Sequence, residues 1–200
     1  MRHSYLTEGF GVRIRPVRVE DAAFIVHLRN SDDAKGKVGD SATDVASQEA
    51  WLSRYFESKG DYYFLVETLT AIPVGTIGIY DATDSDAELG RWIILPGVRG
   101  GVPSLLLTID LAFRQMGFRQ LRATTVSTND RSDSLLRWAG FEKIRVENAA
   151  RMIGGESVDI RHYLLSPEVW HGTRSLLLPA AAQREAHLKK MGEGAHEFLA

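Results

Sequence analysis

The chain has 200 residues, 24 basic and 26 acidic side chains, a net charge of -2 and 44% hydrophobic residues. This suits one globular domain with an appendage, and the near-neutral balance and scattered basic residues argue against a nucleic-acid surface. The lack of cysteine removes disulfides and thiol chemistry, and no stretch nears the ~18 apolar residues of a membrane span or resembles a leader, so a cytoplasmic protein without membrane contact is expected.

Residues 12–17, VRIRPV, alternate apolar and charged side chains and predict a strand. Asp21 opens DAAFIVHLRN, where Ala22, Ile25, Val26 and Arg29 fall at helical spacing; a helix to about Asn30 is expected, with His27 partly buried on its apolar face. Residues 31–44 are polar and glycine-bearing and predict a loop, followed by a helix in QEAWLSRYFES. DYYFLVETL and VGTIGIYD predict a hairpin of two strands, and AELGRWIIL, residues 87–95, a third strand stopped by Pro96 and Gly97.

Residues 103–117 place Leu106, Ile109, Asp110 and Phe113 at helical spacing and predict a mostly buried helix with Gly117 as its terminator. QLRATTVS is a β-branched strand, residues 130–139 a helix ended by Gly140, and KIRVENAARMI with ESVDIRHYLL a closing hairpin turning at Gly154 and Gly155. From Pro167 onward only helical propensity is legible, in PEVWHGTRSLLL and AAAQREAHLKK. Strand 87–95, helix 103–117 and strand 119–126 form a βαβ unit whose strands should be parallel. The expected class is α/β or α+β: a mixed, mostly antiparallel twisted sheet with that parallel unit at its centre, flanked by helices.

Two stretches carry chemistry. ILPGVRGGVPSLLL sets a glycine-rich turn between a strand and a buried helix, where free N–H groups and the helix dipole favour an anion. Gly97, Gly100 and Gly101 allow close backbone approach, Pro103 suits the first helical turn, and Arg99 adds a charge that reaches a phosphate. NDRSDSLLRWAGF joins an Asn, a Ser three places later, a short helix and a Gly-Phe pair. Taken singly, Asn129 is a helix cap, with Asp130 favouring the positive end, and Phe141 is core.

The pair of motifs, in this order and separated by one helix and one strand, resembles the coenzyme site of the GNAT superfamily of N-acetyltransferases over roughly residues 12–165. In that pattern an Arg or Gln is followed after two residues by Gly, then by one residue and a Gly or Ala. Arg99 and Ser104 fill its ends, while Val102 stands where the first glycine is usual, with a side chain expected to crowd a close phosphate. The resemblance implies an acyl-CoA N-acetyltransferase-like fold and an acetyl-CoA site made by Ile93, Ile94, Arg99, Gly100, Gly101, Val102, Ser104, Asn129 and Ser132. Glu88 matches the position from which many relatives deploy a base. Leu136 occupies the place of the Tyr that in many relatives protonates the leaving thiolate, so that either the thiolate, a fair leaving group near neutral pH, departs without an acid or Ser132, Ser134 or Tyr163 stands in.

AELGRW and Leu136 are similar to two branches of the superfamily, acting on ribosomal-protein N-termini and on nucleotide-linked amino sugars, and the layout LRN followed by EAW resembles the amino-sugar branch. The resemblance places Arg29, Asn30, Glu49, Trp51 and Tyr80 on the acceptor side. The function it implies is acetyl-CoA-dependent acetylation of a primary amine, an amino sugar or other small molecule ahead of a protein N-terminus. A catalytically silent acyl-CoA-binding module is the reading from a different class. No metal is expected, because the histidines lack ligand spacing. Residues 1–166 are expected to be the transferase domain and 167–200 a helical tail, with a homodimer compatible with either.

Overall fold

The computed structural model describes residues 2–34, 37 and 42–193. Two short strands, β1 (Thr7–Gly9) and β2 (Val12–Pro16), are joined by Phe10 and Gly11, both at positive φ (52° and 81°). That is the geometry a two-residue hairpin turn requires. With only three residues, β1 shows no alternation from which a strand could be read, and the sequence expectation omits it. After a 3-10 turn at Val19–Asp21 comes α1 (Ala22–Arg29), and α2 (Val45–Glu57) follows, capped by Asp44, whose carboxylate accepts from Ser47 N at 2.8 Å. The buried stripe of α1 is Ala22, Ile25 and Leu28, which turns His27 outward. The expected burial of His27 is therefore corrected. Most of the loop expected over 31–44 lies outside the described residues.

A meander follows: β3 (Tyr62–Thr68), β4 (Pro73–Tyr80) and β5 (Asp86–Ile94). The helix α3 (Gly101–Arg114) then crosses to β6 (Gln120–Val126); Gly117, at φ 78°, lets the chain turn back so that Phe118 N–H reaches Ala112 O at 3.2 Å. α4 (Asp130–Trp138), the hairpin β7 (Glu142–Ile153) with β8 (Glu156–Leu165), and α5 (Pro167–Glu193) complete the chain. The eight strands form one sheet in the order β1-β2-β3-β4-β5-β6-β8-β7. Every neighbouring pair is antiparallel except β5 and β6, the ends of the βαβ unit.

The sheet is covered on both faces, and β3 shows how the sequence accomplishes this. Phe64 and Val66 join one core with Leu105, Leu106 and Ile109 of α3, while Tyr63 and Leu65 join a second with Ile25 of α1 and Leu52 of α2. Period-two alternation sends successive side chains to opposite faces, so a strand apolar from Tyr62 to Val66 sits between two helical layers. α5 lies on the α3 side as one helix through Pro179, where the sequence suggested two segments. Leu177, Ala181 and Leu188 enter the α3 core, and Trp170 Nε1 and Arg174 Nε both donate to Asp110 Oδ1 at 2.9 Å. Among the described residues no helix is long and apolar enough to cross a membrane.

Candidate active site

β5 and β6 pair only from Asp86↔Gln120 to Leu89↔Ala123, although they continue to Ile94 and Val126. On the other flank of β5, the register against β4 slips by one residue between Gly78↔Gly90 and Thr76↔Ile93. The extra residue lies at Arg91–Trp92. Arg91 has φ 48°, and its carbonyl accepts from Thr76 Oγ1 at 2.9 Å. A bulge bends the strand that carries it, and this one begins just where contact with β6 ends. The strands part, and a cavity of about 290 Å³ opens between residues 89–94 of β5, residues 123–126 of β6 and the start of α4. The parted edges carry backbone N–H and C=O groups with no strand opposite, a row able to pair with an extended ligand.

At one end of the cavity lie the expected coenzyme residues. Ile93, Ile94, Gly101, Asn129 and Ser132 line it. Arg99 is exposed in the turn before α3, with Gly100 buried behind it. Val102 corrects the expectation of crowding: only 3% exposed, it points into the core with Leu105 and Leu106, leaving its N–H at the helix start. Ser104 is fully buried, donating from Oγ to Gly101 O at 3.0 Å and accepting from Trp92 Nε1 at 3.1 Å. Its hydroxyl ties the bulge to the first turn of α3 and lies behind the wall. Asn129 Oδ1 caps α4 by accepting from Ser132 N at 3.2 Å, and its Nδ2 has no partner among the described residues. Ser132 Oγ is likewise uncommitted among them, whereas Tyr163 OH, buried, donates to Asp133 Oδ1. Ser134 is exposed, and neither it nor Tyr163 lines the cavity.

The other end is built from side chains. Glu88 Oε1 accepts from Tyr80 OH at 3.0 Å and from Thr124 Oγ1 at 2.8 Å, with Arg122 3.9 Å from Oε2. Tyr80 and Thr124 line the cavity, and Glu88 stands one layer behind them. Burial, and then the Glu88 charge, raise the Tyr80 pKa, so the phenol keeps its proton. Beside it Arg91 pairs bidentately with Asp61 and lies over the rings of Tyr80, Tyr63 and Trp51, at 4.5, 5.3 and 5.4 Å from their centroids.

Glycine makes this possible. Gly78 and Gly90 face each other across β4 and β5, and a Cβ on Gly90 would stand 2.5 Å from Tyr80 OH. The bare floor lets Tyr80 and Arg91 lie flat on the sheet.

Of the residues expected on the acceptor side, Arg29 and Tyr80 line the cavity. Trp51 reaches it only through Arg91. Glu49 is exposed on α2 and outside the lining, and Asn30 is occupied elsewhere, its Nδ2 donating to Val26 O and Ala42 O, each at 2.9 Å. Thr124, Arg91 and Asp61 were not anticipated. They come from three strands or their approaches and share no local spacing, so only the bulge could have signalled them. Among the described residues the lining carries Arg29, Lys37, Arg91, Arg131 and Arg151 and one carboxylate, Asp33. Among the described residues no group of three or more His, Cys, Asp or Glu side chains could hold a metal ion.

A sheet parted beside its one parallel pair, with a glycine-rich turn and a capped helix at the opening, is the architecture of an acyl-group transferase site. The sequence model of the acetyltransferase (GNAT) domain matches residues 12–142, and the chain belongs to that family. It is an N-acetyltransferase. No curated protein matches it by sequence. Among solved structures it is similar to an apo nucleotide-linked sugar GNAT, FdhC, at 23% identity and TM-score 0.72, over 90% of this chain and 98% of that one. A mutant of the spermidine N-acetyltransferase SpeG from Vibrio cholerae aligns at 15% identity and TM-score 0.73, over 82% and 98%. A GCN5-related N-acetyltransferase from Brucella melitensis aligns at 17% and TM-score 0.72, over 94% and 86%. At these identities the three show a common fold.

Proposed function

We propose that the protein transfers the acetyl group of acetyl-CoA, the donor its family generally uses, to the primary amine of a small molecule, an amino sugar ahead of other amines. The observation that carries this reading is Glu88, held by two hydroxyls that themselves line the cleft. The coenzyme end fits the donor: its open strand edges suit an amide-bearing arm, and the turn at 97–101 with Arg99 and the start of α3 suits a pyrophosphate. Ile93, Ile94 and Asn129 flank the arm. Val102 contributes its backbone and Ser104 the rigidity of the turn.

Acetyl-CoA supplies a thioester whose C–S bond breaks as the C–N bond forms. The attacking amine must be neutral and must lose a proton once bonded. Tyr80 takes that proton while passing its own to Glu88 Oε1, and Thr124 holds the carboxylate in place from the second side. The sulfur leaves as the CoA thiolate, a fair leaving group, and Ser132 Oγ, uncommitted among the described residues at the start of α4, donates a hydrogen bond to it, in the place where Leu136 has no group. The cationic lining supports a small acceptor over a protein N-terminus, since a basic peptide needs an acidic groove.

Thermal unfolding with acetyl-CoA at 100 times its dissociation constant should show stabilisation of about 2.7 kcal/mol. Glu88→Gln should keep that stabilisation and lose turnover. Wild type that binds acetyl-CoA yet acetylates no amine would leave the silent-module reading in its place, and full activity in Glu88→Gln would remove Glu88 from the chemistry.

A further inference from the structure

The acceptor end holds an aromatic box that is already filled. Trp51, Tyr63 and Tyr80 present ring faces to one point, with the Asp61 carboxylate at its edge. Such a set of rings beside a carboxylate is a receptor for an organic cation, because each ring face is the negative end of a quadrupole. Here the cation is the chain's own Arg91. Its side chain is 22% exposed and lines the cavity, so the guanidinium both fills the box and forms part of the wall an acceptor meets. Bidentate pairing to Asp61 fixes it there with little freedom to swing aside.

We infer that Arg91 determines acceptor specificity: as a built-in occupant of the aromatic box, it excludes amines that carry a second positive charge. The site takes amines borne on neutral or anionic molecules. This rests on the acetyl-transfer reading of the cleft and names its substrate class. A polyamine entering this end would place a further ammonium against Arg91, with Arg29 and Lys37 also in the wall, and would find the rings that could have received it already covered. An anionic group on the acceptor meets a wall in which, among the described residues, cations outnumber carboxylates.

The test compares spermidine with glucosamine phosphate, by kcat/KM with saturating acetyl-CoA and, in parallel, by calorimetric binding of each amine. Wild type should prefer glucosamine phosphate by about 100-fold or more, the effect of two tenfold steps in affinity. Arg91→Met keeps a stem to cover Gly78 but empties the box, and should move the ratio toward spermidine by at least about tenfold. If the unpaired Asp61 prevents folding, as judged by acetyl-CoA stabilisation, Asp61→Asn combined with Arg91→Met should move the ratio in the same direction by less. Equal use or binding of spermidine by wild type, or an unmoved ratio in the variant that folds, would overturn the inference. Failure of wild type to bind acetyl-CoA would instead strike at the acetyl-transfer reading, and the calorimetric ratio would still decide the role of Arg91.

Discussion

The two ends of the cleft are made from different materials. The proposed coenzyme end is built from backbone: open strand edges, a turn, and two helix starts contributed by contiguous segments, 93–104 and 129–132. The acceptor end uses side chains that converge from distant places, with Asp61 before β3, Tyr80 on β4, Glu88 and Arg91 on β5, and Thr124 on β6. Backbone recognition tolerates exchange of side chains: Val102, at the place where the motif resemblance expects a glycine, turns its side chain into the core. A side-chain network has no such tolerance, because each member fixes the next.

That contrast can be broken most directly at Glu88. Glu88→Gln should lower kcat by about 10²–10⁴-fold, the range of a general base, with acetyl-CoA affinity unchanged in a titration. At the coenzyme end, Val102→Gly restores the usual family residue, yet it should cost about 2–4 kcal/mol of stability through lost burial and helix propensity. Denaturant unfolding would measure this, and acetyl-CoA affinity should barely change; a clear gain in affinity would mean that the Val102 side chain does obstruct the phosphate. Gly90→Ala puts a methyl where Tyr80 OH now lies, and should reduce kcat by up to about 100-fold by displacing the phenol from Glu88, without loss of coenzyme binding.

The smallest effect is expected at the flank of the acceptor end. His3 packs its ring against Phe64 and Tyr62, at centroid distances of 4.7 and 5.4 Å, and burial lowers its pKa from 6.5 to about 4, opposed first by the Tyr63 backbone and then by the Asp61 charge. Between those two pH values the unfolded chain binds the proton and the folded one does not. The stability due to neutral His3 is therefore complete above pH 6.5 and lost as pH falls toward about 4. His3→Phe should flatten this part of the dependence of Tm on pH by a few degrees.

Much of this molecule was legible before folding. The alternation in 62–68, the helical spacing in 103–114 and the Gly154-Gly155 turn each state a local preference that the tertiary structure kept. So did the turn before α3 and the cap of α4, since both are properties of neighbouring residues. Asn129 shows the limit of that reading: its place in the motif and its role as a cap are the same hydrogen bond to Ser132 N, and sequence could not separate them.

His27 marks a different limit. Its helix was expected, but which stripe of a short amphipathic helix faces inward depends on how the sheet receives it, and Ala22, Ile25 and Leu28 took that side.

By itself, then, the sequence determined most of the elements, though not β1 or the continuity of α5, and the parallel βαβ unit with the turn and cap beside it, because periodicity, turns and caps act over a few residues. Only the tertiary structure decided that β8 and not β7 lies beside β6, that α5 completes the α3 core, and that Arg91 meets Asp61 and three aromatic rings. Those contacts join residues tens of positions apart. They depend on strand order, on a one-residue bulge and on a bare glycine floor, and no local preference encodes the distance between groups that meet only when the sheet is assembled.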